Sequence, residues 1–204
     1  MAIAVRLQYN RSVSNPSRRR RDPEQTRTAI IAALLDAVHD GDFAPTTKAL
    51  AQRAGVSERS IFVHFPTRDD LLIAATDLQS ERVEALIVTA DTSAPLGERV
   101  DAVVRQSAAI FALQRNPRVL GLLESSSVPA VDERMRLTDQ RIRDGLGHMF
   151  TPELTRDGEL DEELLDLVDA TASWPLRHHL VERRSASEDD SSKALRRALL
   201  LLLS

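Results

Sequence analysis

The chain has 204 residues, 42% hydrophobic and 28% charged, with a formal net charge of −4, which describes a globular protein with one compact domain or a small module joined to a larger one. It contains no cysteine, which excludes disulfides, thiolate metal sites and a cysteine nucleophile. No apolar run approaches the roughly 18–20 residues needed to span a bilayer, and the first residues lack the apolar core of a signal peptide, so a cytoplasmic protein is expected.

Ala, Leu, Arg and Glu abound while glycines number only seven, a balance that favours helix nearly throughout. The charge is unevenly spread. Residues 1–68 hold 11 Lys and Arg against 6 Asp and Glu, a surplus of +5, and residues 69–204 hold 16 against 25, or −9. A basic head on an acidic body suggests that the head meets a polyanion; chance clustering of solvated charges is the plainer alternative.

Residues 1–21 carry six arginines and no acid, ending in Arg18, Arg19, Arg20 and Arg21. With Asn, Ser and Pro between them they read as a disordered basic arm. Asp22-Pro23 then opens a helix, with Glu24 in its first turn, and Ile30, Ile31, Leu34, Leu35 and Val38 form one apolar stripe at helical spacing. Gly41 stops it. Thr46 caps a second helix with Leu50 and Ala54 inside and Gly55 just past its end. Ser57 caps a third, anchored by Ile61 and Phe65 four residues apart. Pro66 ends it, and Thr67-Arg68-Asp69-Asp70 has the form of a capping box opening a long helix to about residue 90. Two short helices joined by a tight turn are a helix-turn-helix.

A recognition helix needs an anchored inner face and an outer face free to reach base edges. Arg59 can pair with guanine O6 and N7, and Val63, one turn on, can touch a thymine methyl. Thr46, Thr47, Lys48, Ser57, Glu58, Ser60, Phe62 and His64 complete the expected DNA-facing set, the hydroxyls and helix starts suiting phosphate. Arg68 is expected to clamp a further phosphate. His64 can equally cap its helix end as a cation, Phe62 can be core, and the arginine arm is either idle or lies in a narrow minor groove.

Residues 26–72 resemble the DNA-binding head of the tetracycline-repressor (TetR) family of transcriptional regulators. The resemblance rests on the Thr46 start, "LAQRAGVS" at 50–57, the aromatic at Phe62, "HF" at 64–65 and "LL" at 71–72. Many family members carry Tyr where this chain has Phe62, which forgoes a phosphate hydrogen bond of about 0.5–1.5 kcal/mol; the lysine common at the fourth-helix start is Arg68 here. The resemblance implies an all-α homodimer: a three-helix head over 22–67, following the arm at 1–21, and a helical ligand-binding and dimerisation body over 68–204. Its partners would be double-stranded operator DNA and a small-molecule effector, with no cofactor. Activation or repression is left open; a DNA-binding structural or adaptor protein without ligand control is the alternative.

Further helices are expected near 95–115, 117–124, 128–150, 159–183 and 188–203. Val131, Met135, Ile142, Leu146 and Met149 share a face that Thr138 interrupts, so Met135, Thr138 and Met149 are either core or the wall of a cavity, with Gln106, Phe111 and His178 as further lining. Leu164, Val168, Ala172, Leu176 and Leu180 form an i,i+4 row, which Pro175, beside Trp174, should kink. The chain ends in a greasy run from Ala198 to Leu203. Pairing of the last helices about a twofold axis, as in the family, would bury it, with Leu164, Val168, Trp174, Leu195, Leu199 and Leu202 at the seam. No P-loop, dinucleotide glycine pattern, HExxH or ExxH pair is present, so an enzyme is not expected.

Overall fold

The computed structural model describes residues 22–88 and 91–204. Helices α1 (Pro23–His39), α2 (Thr47–Ala54) and α3 (Glu58–His64) lead into the long α4 (Arg68–Glu84), followed by α5 (Leu96–Gln114), α6 (Pro117–Glu124) and α7 (Pro129–Met149). A short α8 (Thr151–Leu154) precedes a two-stranded hairpin, β1 (Thr155–Arg156) and β2 (Glu159–Leu160); α9 (Glu162–Ala172), α10 (Trp174–His178), a π-helical turn (His179–Arg183) and α11 (Glu188–Leu202) complete the chain. This is the all-α architecture expected, with boundaries mostly within a residue or two of the expectation.

The expected caps are in place. Asp22 Oδ1 accepts from Glu24 N at 3.3 Å and Thr46 Oγ1 from Ala49 N at 3.2 Å. Thr67 Oγ1 accepts from Asp70 N at 3.1 Å while Asp70 Oδ2 accepts from Thr67 N at 3.0 Å, a reciprocal box that satisfies two donors at the start of α4. At 17 residues, α4 is about 25 Å long. It ends at Glu84, short of residue 90.

Two departures follow from local chemistry. Asp157 (φ 52°) and Gly158 (φ 85°) turn the chain between β1 and β2, pairing Thr155 with Leu160 and Arg156 with Glu159. Asp-Gly tolerates two positive φ angles in succession, which is what a two-residue hairpin turn demands. At the other break, Ser173 is extended (φ −74°, ψ 165°) and Pro175 sits in the first turn of a new helix, where its missing N–H costs nothing. The expected kink is therefore a full break, and it resets the helical phase. Leu176 and Leu180 come out half-buried, and Arg177 turns inward with 1% of its surface exposed.

The apolar stripes of α1 to α3 meet α4 in a cluster containing Ile30, Leu34, Val38, Leu50, Ile61, Phe65, Leu71 and Leu72, which continues into Leu120, Val131 and Met135 of α6 and α7. Packing therefore does not stop at residue 67, the expected end of the head. A second cluster fills the body with Val100, Val103, Leu146, Met149, Phe150, Leu165, Val168, Leu195 and Leu199. Each fully buried aliphatic or aromatic side chain contributes about 1.5–3 kcal/mol. Arg99 ties α5 to the α7 end, donating to Met149 O at 2.9 Å and pairing with Glu153.

Candidate nucleic-acid interface and ligand cavity

The turn between α2 and α3 is built by Gly55, left-handed at φ 65°, a conformation that disfavours a side chain. Val56 N donates to Ala51 O at 3.0 Å, closing the turn. Ser57 Oγ then accepts from Ser60 N at 3.1 Å to start α3. Ile61 and Phe65 are buried and fix the inner face. A residue that no sequence pattern singles out secures the far end: Arg27 of α1 donates to His64 O at 3.1 Å and lies 4.3 Å from the Phe65 ring centroid. That guanidinium satisfies a terminal carbonyl of α3 and adds a cation–π contact.

Glu58, Arg59, Phe62 and Val63 project from the opposite side. Phe62 is 58% exposed and Val63 69%, large apolar groups left uncovered on a helix of seven residues. Arg59 and Lys48 are exposed and make no side-chain hydrogen bond or ion pair among the described residues. Thr46 and Ser60 are engaged in capping, Thr47 is half-buried at the start of α2, and the His64 ring is half-buried beside Arg27. Arg68 is committed elsewhere. Its Nη1 and Nη2 donate to Glu124 of α6 at 2.8 and 2.6 Å, and this partner, 56 residues away, lies beyond the reach of local pattern. The hydrogen bonds from Arg68 hold the Glu124 carboxyl below the ordinary carboxylate value, against a smaller effect of burial.

The folded head does not carry the basic surplus. Residues 22–68 hold five Lys and Arg against six Asp and Glu, a net −1, so the +6 of residues 1–21 accounts for the whole of it. Arg53 is paired with Asp40 at 2.6 Å. The arm residues Arg18, Arg19, Arg20 and Arg21 lie outside the described residues.

Two cavities adjoin, one where the head packs on the body and one within the body. The smaller, about 40 Å³, lies under Leu35, Leu72, Gln79, Leu120 and Met135; the larger, about 220 Å³, is lined by Gln106, Phe111, Ile142, Asp169 and Trp174. Gln114 and Arg118 line both. Of the residues expected at a cavity, Gln106 and Phe111 reach the larger and Met135 the smaller. Thr138 and Met149 line neither. Thr138 Oγ1 donates to Glu84 Oε1 at 2.9 Å and accepts from Arg134 at 3.0 Å, so its hydroxyl joins α7 to α4. Burial raises the Glu84 carboxyl, but the bonds from Arg134 and Thr138, with the charges of Arg134 and Arg141, bring it below its ordinary value. Met149 belongs to the body core. His178 stands behind the cavity, stacked on Trp174 with centroids 4.3 Å apart.

Asp169 belongs by sequence to an acidic run that reads as a solvated helix face. It faces the cavity half-buried, and burial pushes its carboxyl above the ordinary value. Trp174, expected at a subunit seam, lines the cavity 6.3 Å from Phe111.

The seam expectation also needs correction. Leu164, Val168, Leu195 and Leu199 are buried in the chain's own core and present almost no surface to a second subunit, while half-buried Leu202 packs against that core. The inward phase of α9 and α11 is set by α5 and α7, and the leucines left outside are Leu167 at 54% and Leu201 at 72% exposure.

The described chain thus combines a helix-turn-helix whose outer face carries exposed Arg59, Phe62 and Val63 with a cavity in its helical body. Residues 30–75 match the family model for bacterial regulatory proteins of the tetR family. Solved structures extend the likeness beyond the head. A transcriptional regulator from Rhodococcus sp. Rha1 is 21% identical, with a TM-score of 0.70 over 87% of this chain and 95% of that one. The multidrug binding protein EbrR, complexed with imidazole, is 22% identical with a TM-score of 0.61 over 90% and 97%. SmeT, in complex with triclosan, is 15% identical with a TM-score of 0.59 over 86% and 90%. A sequence comparison with curated proteins finds no match. The head thus matches the TetR family model, and the whole chain shares its fold with solved transcriptional regulators.

Proposed function

We propose that the chain is a homodimeric transcriptional repressor that holds its operator through α3 and is released by a small molecule bound in the body. The observation that carries this is the outer face of α3, where Phe62 and Val63 stand uncovered beside an unpaired Arg59. Exposed apolar groups of that size are unfavourable in water and become favourable against sugar and thymine methyl groups. Arg59 reads a guanine, Val63 a thymine methyl, and Thr46, Thr47, Lys48, Ser57, Ser60 and His64 approach phosphates, with Glu58 at the rim. Arg68 joins them after exchanging Glu124 for a phosphate. Because the folded head is net −1, the arm of Arg18–Arg21 supplies much of the sequence-independent attraction.

Two heads held by one twofold axis select a near-palindromic site. The seam proposed for the dimer is the outer side of α9 and α11, with Leu167 and Leu201 at its centre. EbrR and SmeT are structures with small molecules bound, which favours the 220 Å³ cavity as the effector site here. Effector release requires tighter binding to the state whose heads are misplaced for the groove, and operator must weaken effector binding by the same factor. The long α4, packed between head and α7, is the lever.

Selection of bound duplexes from random DNA at stated salt, with sedimentation of the complex, tests this reading. The expected product is a near-palindrome holding two protomers. Recovery of sequences without shared half-sites, or of one protomer per site, would replace it with a DNA-binding adaptor lacking sequence control.

A further inference from the structure

The charges around the larger cavity do not cancel. Arg118 donates to Asp139 through Nη1 at 2.9 Å and Nη2 at 2.6 Å, a bidentate pair that neutralises both groups. Asp169, on the α9 wall, makes no hydrogen bond or ion pair among the described residues. The cation whose field reaches it, Arg143, is held by Glu162 at 2.9 Å and Asp166 at 2.5 Å. Among the described residues the buried guanidinium of Arg177 lies nearby but does not line the cavity: it donates to Ser107 Oγ at 2.8 Å, Val104 O at 2.9 Å and Ser192 Oγ at 3.2 Å. The space is thus left with one uncompensated negative charge. Around it stand the rings of Phe111 and Trp174 and the aliphatic side chains of Val103, Ile110 and Ile142. Trp174 Nε1 is buried without a partner.

A half-buried carboxylate lacking a counter-ion is costly, and the cost is relieved by a ligand that brings the opposite charge. Aromatic walls favour the same partner, since the negative faces of the rings attract cations. The volume, about 220 Å³, lies below the ~300–1,000 Å³ of sites for drug-sized molecules. We propose that this cavity takes a compact organic cation, its apolar body against Phe111 and Trp174 and its ammonium on Asp169. The assignment rests on the reading of this cavity as the effector site and names the chemical class that site accepts. An anionic ligand would add a second negative charge beside Asp169, and a neutral one would leave the carboxylate unmatched.

Trp174 is the only tryptophan in the chain, so its fluorescence reports occupancy directly. Three probes of nearly one shape differ in charge: 2-phenylethylammonium, 2-phenylethanol and phenylacetate. Titrated into the full-length protein up to millimolar concentration, the ammonium should bind about tenfold tighter than the alcohol, as a charge-assisted hydrogen bond provides, and phenylacetate should bind weakest. Asp169→Asn should bring the ammonium to the level of the alcohol and leave the alcohol unchanged. The order among the three probes on the unaltered protein needs no variant, so the result stands even if Asp169→Asn misfolds. Equal binding of ammonium and alcohol, tightest binding of phenylacetate, or no Trp174 response to any probe overturns the assignment. Repeating the titrations on the operator complex separates the two readings. Ammonium binding that depends on Asp169 without loss of operator leaves the site standing and removes regulated release. Release by phenylacetate and not by the ammonium keeps regulation and removes the cation.

Discussion

The Arg68–Glu124 pair makes the sharpest prediction about DNA affinity. In the DNA-free chain both terminal nitrogens of Arg68 are spent on Glu124, at 2.8 and 2.6 Å, yet Arg68 opens α4 where a phosphate contact is proposed. The arginine must leave the carboxylate to reach DNA. The Arg68 side chain is 54% exposed and that of Glu124 18%, so solvent screens the pair and its worth lies in the range of about 0.2–1 kcal/mol. A dimer breaks two such pairs, roughly 0.4–2 kcal/mol in all, which corresponds to about a 2- to 30-fold gain in operator affinity when the cost is removed. Glu124→Gln removes it. Fluorescence anisotropy with labelled operator should show that gain, and it should vanish in an Arg68→Ala background, as a double-mutant cycle requires of a coupled pair. The wild-type protein should also weaken more steeply with salt than Arg68→Ala, by a slope of about 0.9 per subunit. An unchanged affinity for Glu124→Gln, or a gain that persists without Arg68, would refute the exchange. The sign with pH agrees. Arg68 holds the Glu124 carboxyl below its ordinary value, so the pair is intact above the unfolded carboxylate pKa and is lost only as pH falls through the depressed folded value. Operator binding near neutral pH should not report this titration.

Three further outcomes are expected. Removing residues 1–21 takes away +6 of charge and leaves a folded head of net −1, so affinity and salt slope should both fall, by about 0.9 in slope for each phosphate no longer neutralised, while the selected base sequence stays the same; a changed consensus would contradict the assigned role. Arg27→Gln removes the bond to His64 O and the cation over the Phe65 ring, which should cost about 1–2 kcal/mol in thermal or urea unfolding and weaken operator binding. Leu201→Glu should leave the monomer fold intact and shift sedimentation toward monomer, whereas Leu195→Ala, cut from the core, should cost about 2–5 kcal/mol in stability; the reverse pattern would return the seam to the buried leucines.

The head is legible in the sequence almost to the residue because its determinants are local. A threonine or serine cap, a glycine in the left-handed region and two apolar anchors four residues apart each act within one helical turn. The Asp157-Gly158 hairpin carries an equally local signal, the Asp-Gly pair, which the dominant helical composition masks. What is not legible depends on partners distant in sequence. The break at Ser173 rotates the following turn, so the i,i+4 row through Leu164 and Val168 does not predict the burial of Arg177. Greasy α11 offers leucines on every side; which of them face inward is decided by α5 and α9, and periodicity alone places Leu195 and Leu199 on the wrong side. Asp169 resembles any exposed acid in an acidic run until the opposing walls are in place. Arg68 looks free because Glu124 lies 56 residues away.

The central claim is that the outer face of α3 reads bases. It is tested most directly by measuring Arg59→Ala against a panel of single-base variants of the selected operator. The account predicts a loss of about 1–3 kcal/mol on the parent site, with discrimination relaxed at one base position in each half-site and retained at the others. A uniform loss across the panel, with the base preferences unchanged, would contradict it.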